Sequence, residues 1–139
     1  MLGVTVKEAK KESRDDKNAV YGWYGEHVKG TRIFYRKAGE SAGQEYHTGL
    51  DPSKNPERFF IVSGEIEFEV FDGKSDEKFT VEAPAEVEIA PWIWHATIAV
   101  SNVCYLKHSL LAEPSKKDTF VVSKEGFVKM LAQRRYPKL

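Results

Sequence analysis

The 139-residue chain carries 21 Lys and Arg residues against 21 Asp and Glu residues, so its formal net charge at pH 7 is zero. This balance excludes a net field that would attract nucleic acid or an anionic membrane, and no apolar run approaches the ~18 residues of a membrane span. The first residues, MLGVTVKEAKK, lack the apolar centre of a signal peptide. We therefore expect a single cytoplasmic domain over residues 1–139, long enough to bury a core.

The N-terminal segment, residues 1–30, is expected to lie outside the core of the fold. Its charged run from Lys7 to Lys17 is either helical or frayed, and it faces solvent. The stretch YGWYGEHV, from Tyr21 to Val28, is rich in glycine and aromatic residues. It predicts a turn and a short strand added at the edge of a sheet.

The expected core begins at Thr31. Thr31 to Lys37 places Ile33 and Tyr35 on one face of a strand, with basic residues and Phe34 on the other. A loop of small residues, AGESAG, leads to a short strand from Gln44 to Thr48. The loop GLDPSKNP that follows is dense in turn-forming residues.

The stretch ERFFIVSGEIEFEV, from Glu57 to Val70, predicts two strands that meet at a Ser63-Gly64 turn. The second strand alternates apolar residues with glutamates, as expected when one face is buried. The first strand is apolar on both faces, which is typical of a strand covered on both sides. Glu57 begins this buried strand on the same face as Phe59 and Ile61, an unusual position for a carboxylate.

Further strands are predicted at hairpin spacing: Lys78 to Glu82, Val87 to Ile89, Trp94 to Val100 and Val103 to Leu111. A short strand, Thr119 to Val122, then precedes a terminal helix over residues 123–136. Ser123 is its expected N-cap, and Phe127, Met130 and Leu131 form its apolar face. Short strands with a helix only at the end predict an all-β antiparallel sandwich or barrel.

The sequence resembles the cupins, small jelly-roll barrels with two motifs. Glu57-x6-Gly64 reproduces the end of the first motif, and GQEYHTG is similar to its GxHxH strand, with His47 at the second histidine. IAPWIWHATI resembles the second motif, which puts His95 on the motif histidine. The resemblance covers Thr31 to Leu111 and implies a jelly-roll barrel core over residues 31–111.

Several positions depart from the cupin motifs. Glu45 stands at the first histidine, Trp92 at the glycine and Ala99 at the asparagine of the second motif. The gap from His47 to Glu57 is longer than usual. Among cupins the chain looks most similar to sugar-nucleotide ketoisomerases and epimerases. In the isomerases the first-motif histidines move a proton next to a sugar carbonyl, which implies that His47 does so here with Glu45 or Glu57 as its partner.

The predicted strand faces bring two imidazoles and two carboxylates together. Glu45 and His47 share a face, His95 shares one with Thr97, and Glu57 faces inward with Phe59. If these faces look into one barrel, the set suits a divalent metal such as Zn²⁺, Fe²⁺, Mn²⁺ or Ni²⁺, bound by His47, Glu57 and His95 with Glu45 as a fourth ligand. Without a metal, the same groups can serve as acid and base.

Structural roles compete with each of these assignments. Glu57 could instead pair with Arg36 or Arg58, and Glu45 could turn out to solvent. Phe59, Ile61, Thr97, Trp92 and Trp94 are candidate pocket-lining residues, although the two tryptophans could instead cover one end of the barrel. His27, His108 and the single cysteine, Cys104, are expected to be structural.

A site of this kind would bind a small polar ligand, and two classes of function are open. One is an enzyme, either metal-dependent or a metal-free sugar isomerase or epimerase, and the other is a non-catalytic sensor that binds a small molecule. The outward-facing Phe60 and Val62 also predict a homodimer, because soluble monomers rarely expose large apolar patches.

Overall fold

The computed structural model describes residues 2–12, 21–23, 27–112 and 117–135. Within these residues the chain forms strands and one terminal helix. The elements are β1 (Val4–Glu8), β2 (Lys10–Lys11), β3 (Tyr21–Gly22), β4 (Gly30–Arg36), β5 (Ser41–Tyr46), β6 (Glu57–Ser63), β7 (Glu65–Phe71), β8 (Asp76–Glu82), β9 (Ala85–Ile89), β10 (Trp94–Ala99), β11 (Val103–Ser109), β12 (Phe120–Val121) and α1 (Lys124–Arg135).

Two five-stranded antiparallel sheets form the jelly-roll barrel. Their strand orders are β1-β9-β6-β11-β4 and β12-β5-β10-β7-β8, and β2 and β3 form a separate pair. The apolar inner faces of both sheets meet in one core, which includes Phe59 and Ile61 from the first sheet and Phe68 and Val70 from the second. The expected all-β cupin-type barrel with a short C-terminal helix is confirmed.

The β6–β7 hairpin follows its sequence pattern closely. In β7 the apolar residues are buried and the glutamates between them are partly exposed, while β6 has three consecutive buried residues, Phe59 to Ile61. Gly64 turns the chain with φ of 84°, and a Cβ placed there would lie 2.1 Å from the carbonyl oxygen of Asn102. Only glycine fits this turn without displacing the backbone.

The N-terminal segment differs from its prediction. The edge of the first sheet is occupied by β1, which pairs with β9 from Val4↔Ile89 to Glu8↔Ala85. Tyr21–Gly22 pairs only with Lys10–Lys11, and Val20 and residues 24–26 of the expected edge strand lie outside the described residues. The charged character of residues 7–11 concealed their extended conformation, because charged residues are accepted on a solvent-facing edge strand.

Helix α1 packs against the outer face of the second sheet. Ser123 caps it, since its hydroxyl accepts the N–H of Gly126 at 3.1 Å. Phe127 is fully buried and Leu131 packs beside it, whereas Met130 is 38 % exposed and does not belong to the buried face as predicted. No helix among the described residues is long and apolar enough to cross a membrane.

Candidate active site

The candidate site lies where the two sheets approach each other at one end of the barrel. The first sheet contributes Glu57, the first residue of β6, and Lys107 of β11. The second sheet contributes Glu45 at the end of β5 and His95 of β10, which lie opposite each other in register. His47 directly follows β5. The fold therefore brings together all four residues predicted as metal ligands or acid–base groups.

Both imidazoles face the carboxylate of Glu57. His47 Nε2 lies 3.0 Å from Oε2 and His95 Nε2 lies 3.0 Å from Oε1, and all three side chains are buried. Although these distances are short, both Nε2 atoms and Oε1 lack a partner with good hydrogen-bond geometry among the described residues. Three buried polar atoms thus converge without satisfying one another, which is costly in a protein interior.

The outer nitrogen of each imidazole faces a backbone carbonyl. His47 Nδ1 is 2.8 Å from the oxygen of Asp118, and His95 Nδ1 is 3.0 Å from that of Ile93. A carbonyl oxygen only accepts, so each Nδ1 must carry a proton. In a neutral ring the Nε2 lone pair would then face a carboxylate oxygen, and relieving that repulsion requires a proton or a cation between them.

Two lysines also bind Glu57, and sequence reasoning missed both. Lys54 donates to Oε2 at 2.8 Å and Lys107 at 3.0 Å, and the Lys107 ammonium lies 4.2 Å from the centre of the Phe59 ring. The arginines expected as partners lie elsewhere: Arg58 pairs with Glu86, and Arg36 lies over Phe34 and Tyr105. Strand alternation could have revealed Lys107, because it shares the inward face of β11 with the buried Tyr105.

The neighbouring charges set the ionisation of Glu57 and Lys107. Burial by itself raises the pKa of Glu57, but the charges of Lys107 and His95 and the contacts of both imidazoles outweigh it and hold the pKa well below the usual carboxyl range. Burial lowers the pKa of Lys107, and the carboxylate of Glu57 partly offsets that effect. Glu57 is therefore an anion held by surrounding positive charge.

Glu45 connects the buried cluster to an open cavity of about 680 Å³. Its carboxylate lies 4.0 Å from His47 Nε2, and its side chain is 21 % exposed. Other residues of the cavity wall are Arg32, Asp51, Lys54, Lys107 and Thr119. His47, Glu57 and His95 are not part of this wall, so the cluster reaches the cavity through Glu45, Lys54 and Lys107.

The candidate pocket-lining residues divide into two groups. Phe59, Ile61 and Thr97 are buried inside the barrel, and Phe59 approaches the ring of His95 edge-on with centroids 6.3 Å apart. Trp92 and Trp94 belong to the outer apolar cluster under α1, on the face of β10 opposite His95. Strand alternation places Trp94 and His95 on opposite faces of β10. The two tryptophans therefore do not line the pocket beside His95, contrary to the prediction.

A divalent metal fits part of this donor set. Glu45, His47 and His95 each offer a ligand atom within 4.8 Å of the others, and imidazoles that bind metals commonly donate Nδ1–H to a carbonyl, as both do here. The ammonium groups of Lys54 and Lys107, both bound to Glu57 Oε2, disfavour a metal ion at this site. They already supply positive charge beside the three ligand atoms, and like charges repel.

The remaining histidines and the cysteine have different surroundings. His27 is exposed. His108 contacts Thr31 Oγ1 at 3.1 Å through Nδ1, and its ring packs on Phe60 with centroids 4.5 Å apart. Cys104 is unpaired and partly exposed. These placements agree with structural roles.

Several solved structures with the same fold are sugar-nucleotide enzymes. QdtA, a sugar 3,4-ketoisomerase from Thermoanaerobacterium thermosaccharolyticum in complex with TDP, matches with a TM-score of 0.75 and 12% identity over 96% of this chain and 97% of that one. WlaRB, a TDP-quinovose 3,4-ketoisomerase from Campylobacter jejuni, matches with a TM-score of 0.72 and 14% identity over 93% and 99%. A dTDP-4-dehydrorhamnose 3,5-epimerase from Sulfolobus tokodaii matches with a TM-score of 0.69 and 15% identity over 88% and 78%.

The chain therefore has the cupin fold of the sugar-nucleotide 3,4-ketoisomerases and 3,5-epimerases, and the expected resemblance to this group is confirmed. At these identities the likeness establishes the fold. No protein-family model and no curated protein sequence matches the chain.

Proposed function

We propose that this protein is a sugar isomerase or epimerase that moves a proton at a carbon next to the carbonyl group of a sugar nucleotide. The observation that carries the proposal is the buried His47–Glu57–His95 cluster, which reaches the cavity through Glu45 and two lysines. Proton transfer next to a carbonyl requires a general base, a group that can hold the proton, and positive charge to stabilise the oxyanion. This cavity wall offers all three.

Glu45 is the proposed base, and His47 its partner. Removing a proton from the carbon leaves an enolate with negative charge on the carbonyl oxygen. Returning a proton to the opposite face of the same carbon completes an epimerisation. Returning it to the former carbonyl carbon, while the neighbouring hydroxyl loses its proton and the former carbonyl oxygen gains one, completes an isomerisation. His47 lies 4.0 Å behind Glu45, close enough to share its proton after a small movement. The ammonium of Lys107 faces the same cavity and can stabilise the developing oxyanion.

The cavity charges support an anionic substrate. Arg32, Lys54 and Lys107 contribute three cationic side chains to the wall, against the two carboxylates of Glu45 and Asp51. Diphosphate groups bind such cationic surfaces through charge-assisted hydrogen bonds. QdtA, which shares the fold, has been solved with TDP-4-keto-6-deoxyglucose, and we propose this class of ligand here.

The test is proton exchange into that ligand. The purified protein is incubated with TDP-4-keto-6-deoxyglucose in deuterium oxide, and proton NMR follows deuterium incorporation next to the carbonyl and the appearance of a new keto sugar. Glu45→Gln should slow exchange by about 10²-fold or more, and Glu67→Gln, a strand glutamate in another part of the sheet, serves as the control. Absence of exchange with the unmodified protein would contradict the proposal, and binding without exchange would favour the sensor function.

A metal-dependent enzyme is the second candidate, favoured by the three buried atoms that lack hydrogen bonds. His47, His95 and Glu57 would hold the metal, with Glu45 as a possible fourth ligand, and the ion would supply a Lewis acid that polarises a carbonyl. Elemental analysis of protein without a histidine tag tests it. Near-stoichiometric Zn, Fe, Mn or Ni that disappears in a His47→Ala, His95→Ala variant supports the metal, and less than about a tenth of an equivalent after supplementation contradicts it.

A further inference from the structure

In the segment between the barrel and α1, Asp118 contacts the site through its backbone carbonyl, which bonds to the imidazole of His47. This residue is buried with 1 % exposure, although it lies in a polar stretch that gave no sequence indication of a role. We propose that Asp118 is the positioning residue of His47, holding its imidazole in the orientation and tautomer that proton transfer requires. The inference rests on the proposed function and concerns the same site.

The carboxylate of Asp118 holds the loop that directly follows His47. Oδ1 accepts hydrogen bonds from the backbone N–H and the hydroxyl of Thr48, and Oδ2 accepts the N–H groups of Gly49 and Asp51, both at 3.0 Å. Burial raises the pKa of this carboxyl, but these hydrogen bonds outweigh the effect and lower it. A carboxylate that accepts four hydrogen bonds, three of them from the backbone N–H groups of Thr48, Gly49 and Asp51, fixes the conformation of this loop.

The backbone carbonyl of the same residue holds the imidazole itself. It accepts the Nδ1–H of His47 at 2.8 Å, and the hydroxyl of Thr119 lies 3.5 Å from the same nitrogen. On the other side, the carbonyl of His47 accepts the N–H of Trp92 at 2.7 Å. The ring is therefore fixed with Nδ1 protonated and Nε2 directed at Glu57 and Glu45, because the second nitrogen of a histidine is set by the bond that the first one makes.

His95 offers an internal comparison. Its Nδ1 bonds to the carbonyl of Ile93, two residues earlier in the chain, so its orientation is secured locally. His47 instead depends on a residue 71 positions away. Loss of the Asp118 carboxylate should therefore release His47 and leave His95 unchanged, a difference that general destabilisation does not produce.

The test measures solvent exchange of the two Nδ1–H protons by NMR at one fixed pH, in protein labelled with ¹⁵N-histidine. In Asp118→Asn the exchange of the His47 proton should accelerate about tenfold or more, because the loop beside His47 loses its charge-assisted hydrogen bonds, while that of His95 stays the same. Thr48→Val removes one donor to Asp118 and should give a smaller change in the same direction. Asp72→Asn, which removes another carboxylate that caps backbone N–H groups, is the matched control and should alter neither proton.

Two results would overturn the inference: unchanged exchange at His47 in folded Asp118→Asn, or equal acceleration at both histidines. If Asp118→Asn does not fold, Thr48→Val decides, and an unchanged His47 proton in that variant rejects the role of Asp118. None of these measurements needs a substrate. If the unmodified protein fails to exchange protons into TDP-4-keto-6-deoxyglucose, the proposed function is contradicted while the NMR result still decides the role of Asp118.

Discussion

Glu57 combines a buried position with four basic neighbours: His47, His95, Lys54 and Lys107. Each neighbour retains at least one contact elsewhere or at the cavity, but Glu57 has all its charged contacts within this cluster. A single carboxylate therefore compensates most of the positive charge at this end of the barrel. Removing it should cost more than removing any one of its partners.

Glu57→Gln should lower the free energy of unfolding by about 3–5 kcal/mol, the usual range when one partner of a buried ion pair is lost. Lys107→Met should lower it by only about 1–2 kcal/mol, because Lys54 and the imidazoles still compensate Glu57. Urea unfolding of both variants measures the difference, with Glu67→Gln as the control. Equal losses in the two variants would show that Glu57 is not the centre of the charge network.

Glu57, His47 and His95 could be named as candidate site residues from the sequence for a specific physical reason. Strand alternation and the motif spacing determine which face a residue occupies, and all three residues lie on regular strands or directly beside one. Lys54 and Asp118 lie in irregular segments, where no periodicity predicts the direction of a side chain. Their contacts with Glu57 and His47 depend on loop conformations that single-sequence patterns do not describe.

At the scale of elements, the turn between β7 and β8 is stabilised by one partly exposed carboxylate. Asp72 accepts the N–H groups of Lys74 and Ser75 at 2.8 and 2.9 Å, and these hydrogen bonds lower its pKa. A folded pKa below the unfolded value of about 3.9 means that the contribution is present above that pH and is lost as the pH falls through the folded value.

Asp72→Asn should therefore lower stability by less than about 1 kcal/mol near neutral pH, since the group is largely solvent-screened. The difference between variant and unmodified protein should shrink as the pH falls below about 4. Thermal unfolding across this pH range measures it. A difference that stays constant down to about pH 3 would contradict the assigned role of the two hydrogen bonds.

Among the described side chains of helix α1, that of Phe127 is the one fully buried. Phe127 is fully buried and packs with Tyr46, at 5.0 Å between ring centres, and with Phe71 at 6.0 Å. Its environment explains why the sequence identified this helix while misplacing Met130: a short helix needs only a narrow apolar stripe. Trp92 and Trp94 belong to the same cluster, so their fluorescence reports on docking of the helix.

Phe127→Ala should detach α1 and shift tryptophan emission to longer wavelength at denaturant concentrations below the main transition. If the barrel and the helix unfold together, the free energy of unfolding should fall by about 3–5 kcal/mol, as for other Phe to Ala substitutions in protein cores. Val128→Ala, at a 43 % exposed position of the same helix, is the control. An unchanged emission spectrum in Phe127→Ala would show that α1 does not depend on this contact.

For the whole molecule, the structure removes one of the two residues on which the homodimer prediction was based. Phe60, expected on an exposed face, is fully buried within one chain, covered by Trp23 with ring centres 5.1 Å apart and by His108 at 4.5 Å. Exposed apolar residues remain on β4, where Ile33 is 57 % and Tyr35 73 % exposed, and Val62 is 45 % exposed. The dimer stays a prediction, with β4 as the edge that a second copy would cover.

Sedimentation equilibrium of the unmodified protein at tens of micromolar should show a species of twice 15.8 kDa. Tyr35→Lys, on the exposed edge, should weaken that association without unfolding the chain, whereas Phe60→Asp should destabilise each subunit because it buries an unpaired charge. A single species near 15.8 kDa would rule the dimer out.

The barrel architecture could be predicted from strand periodicity, because β6 carries apolar residues on both faces from Phe59 to Val62 and β7 alternates apolar residues with glutamates. The edge strand β1 of the first sheet could not be predicted in this way. The sequence of β1, VTVKE, alternates over too few residues to be distinguished from the charged run that follows it. Its pairing with β9 is decided by contacts between remote residues, such as Lys7 and Glu88, which are 81 positions apart.

The distances along the chain between site residues have a kinetic consequence. Glu57 and Lys107 are 50 residues apart, and His47 and Asp118 are 71 apart. Contacts between such remote positions form late, because a long loop must close before they stabilise the chain. During refolding the hairpins can regain their strands early, but the acid–base cluster appears only in chains whose barrel has closed and whose C-terminal segment has docked. Recovery of the His47–Asp118 hydrogen bond is therefore expected to report a late stage of folding.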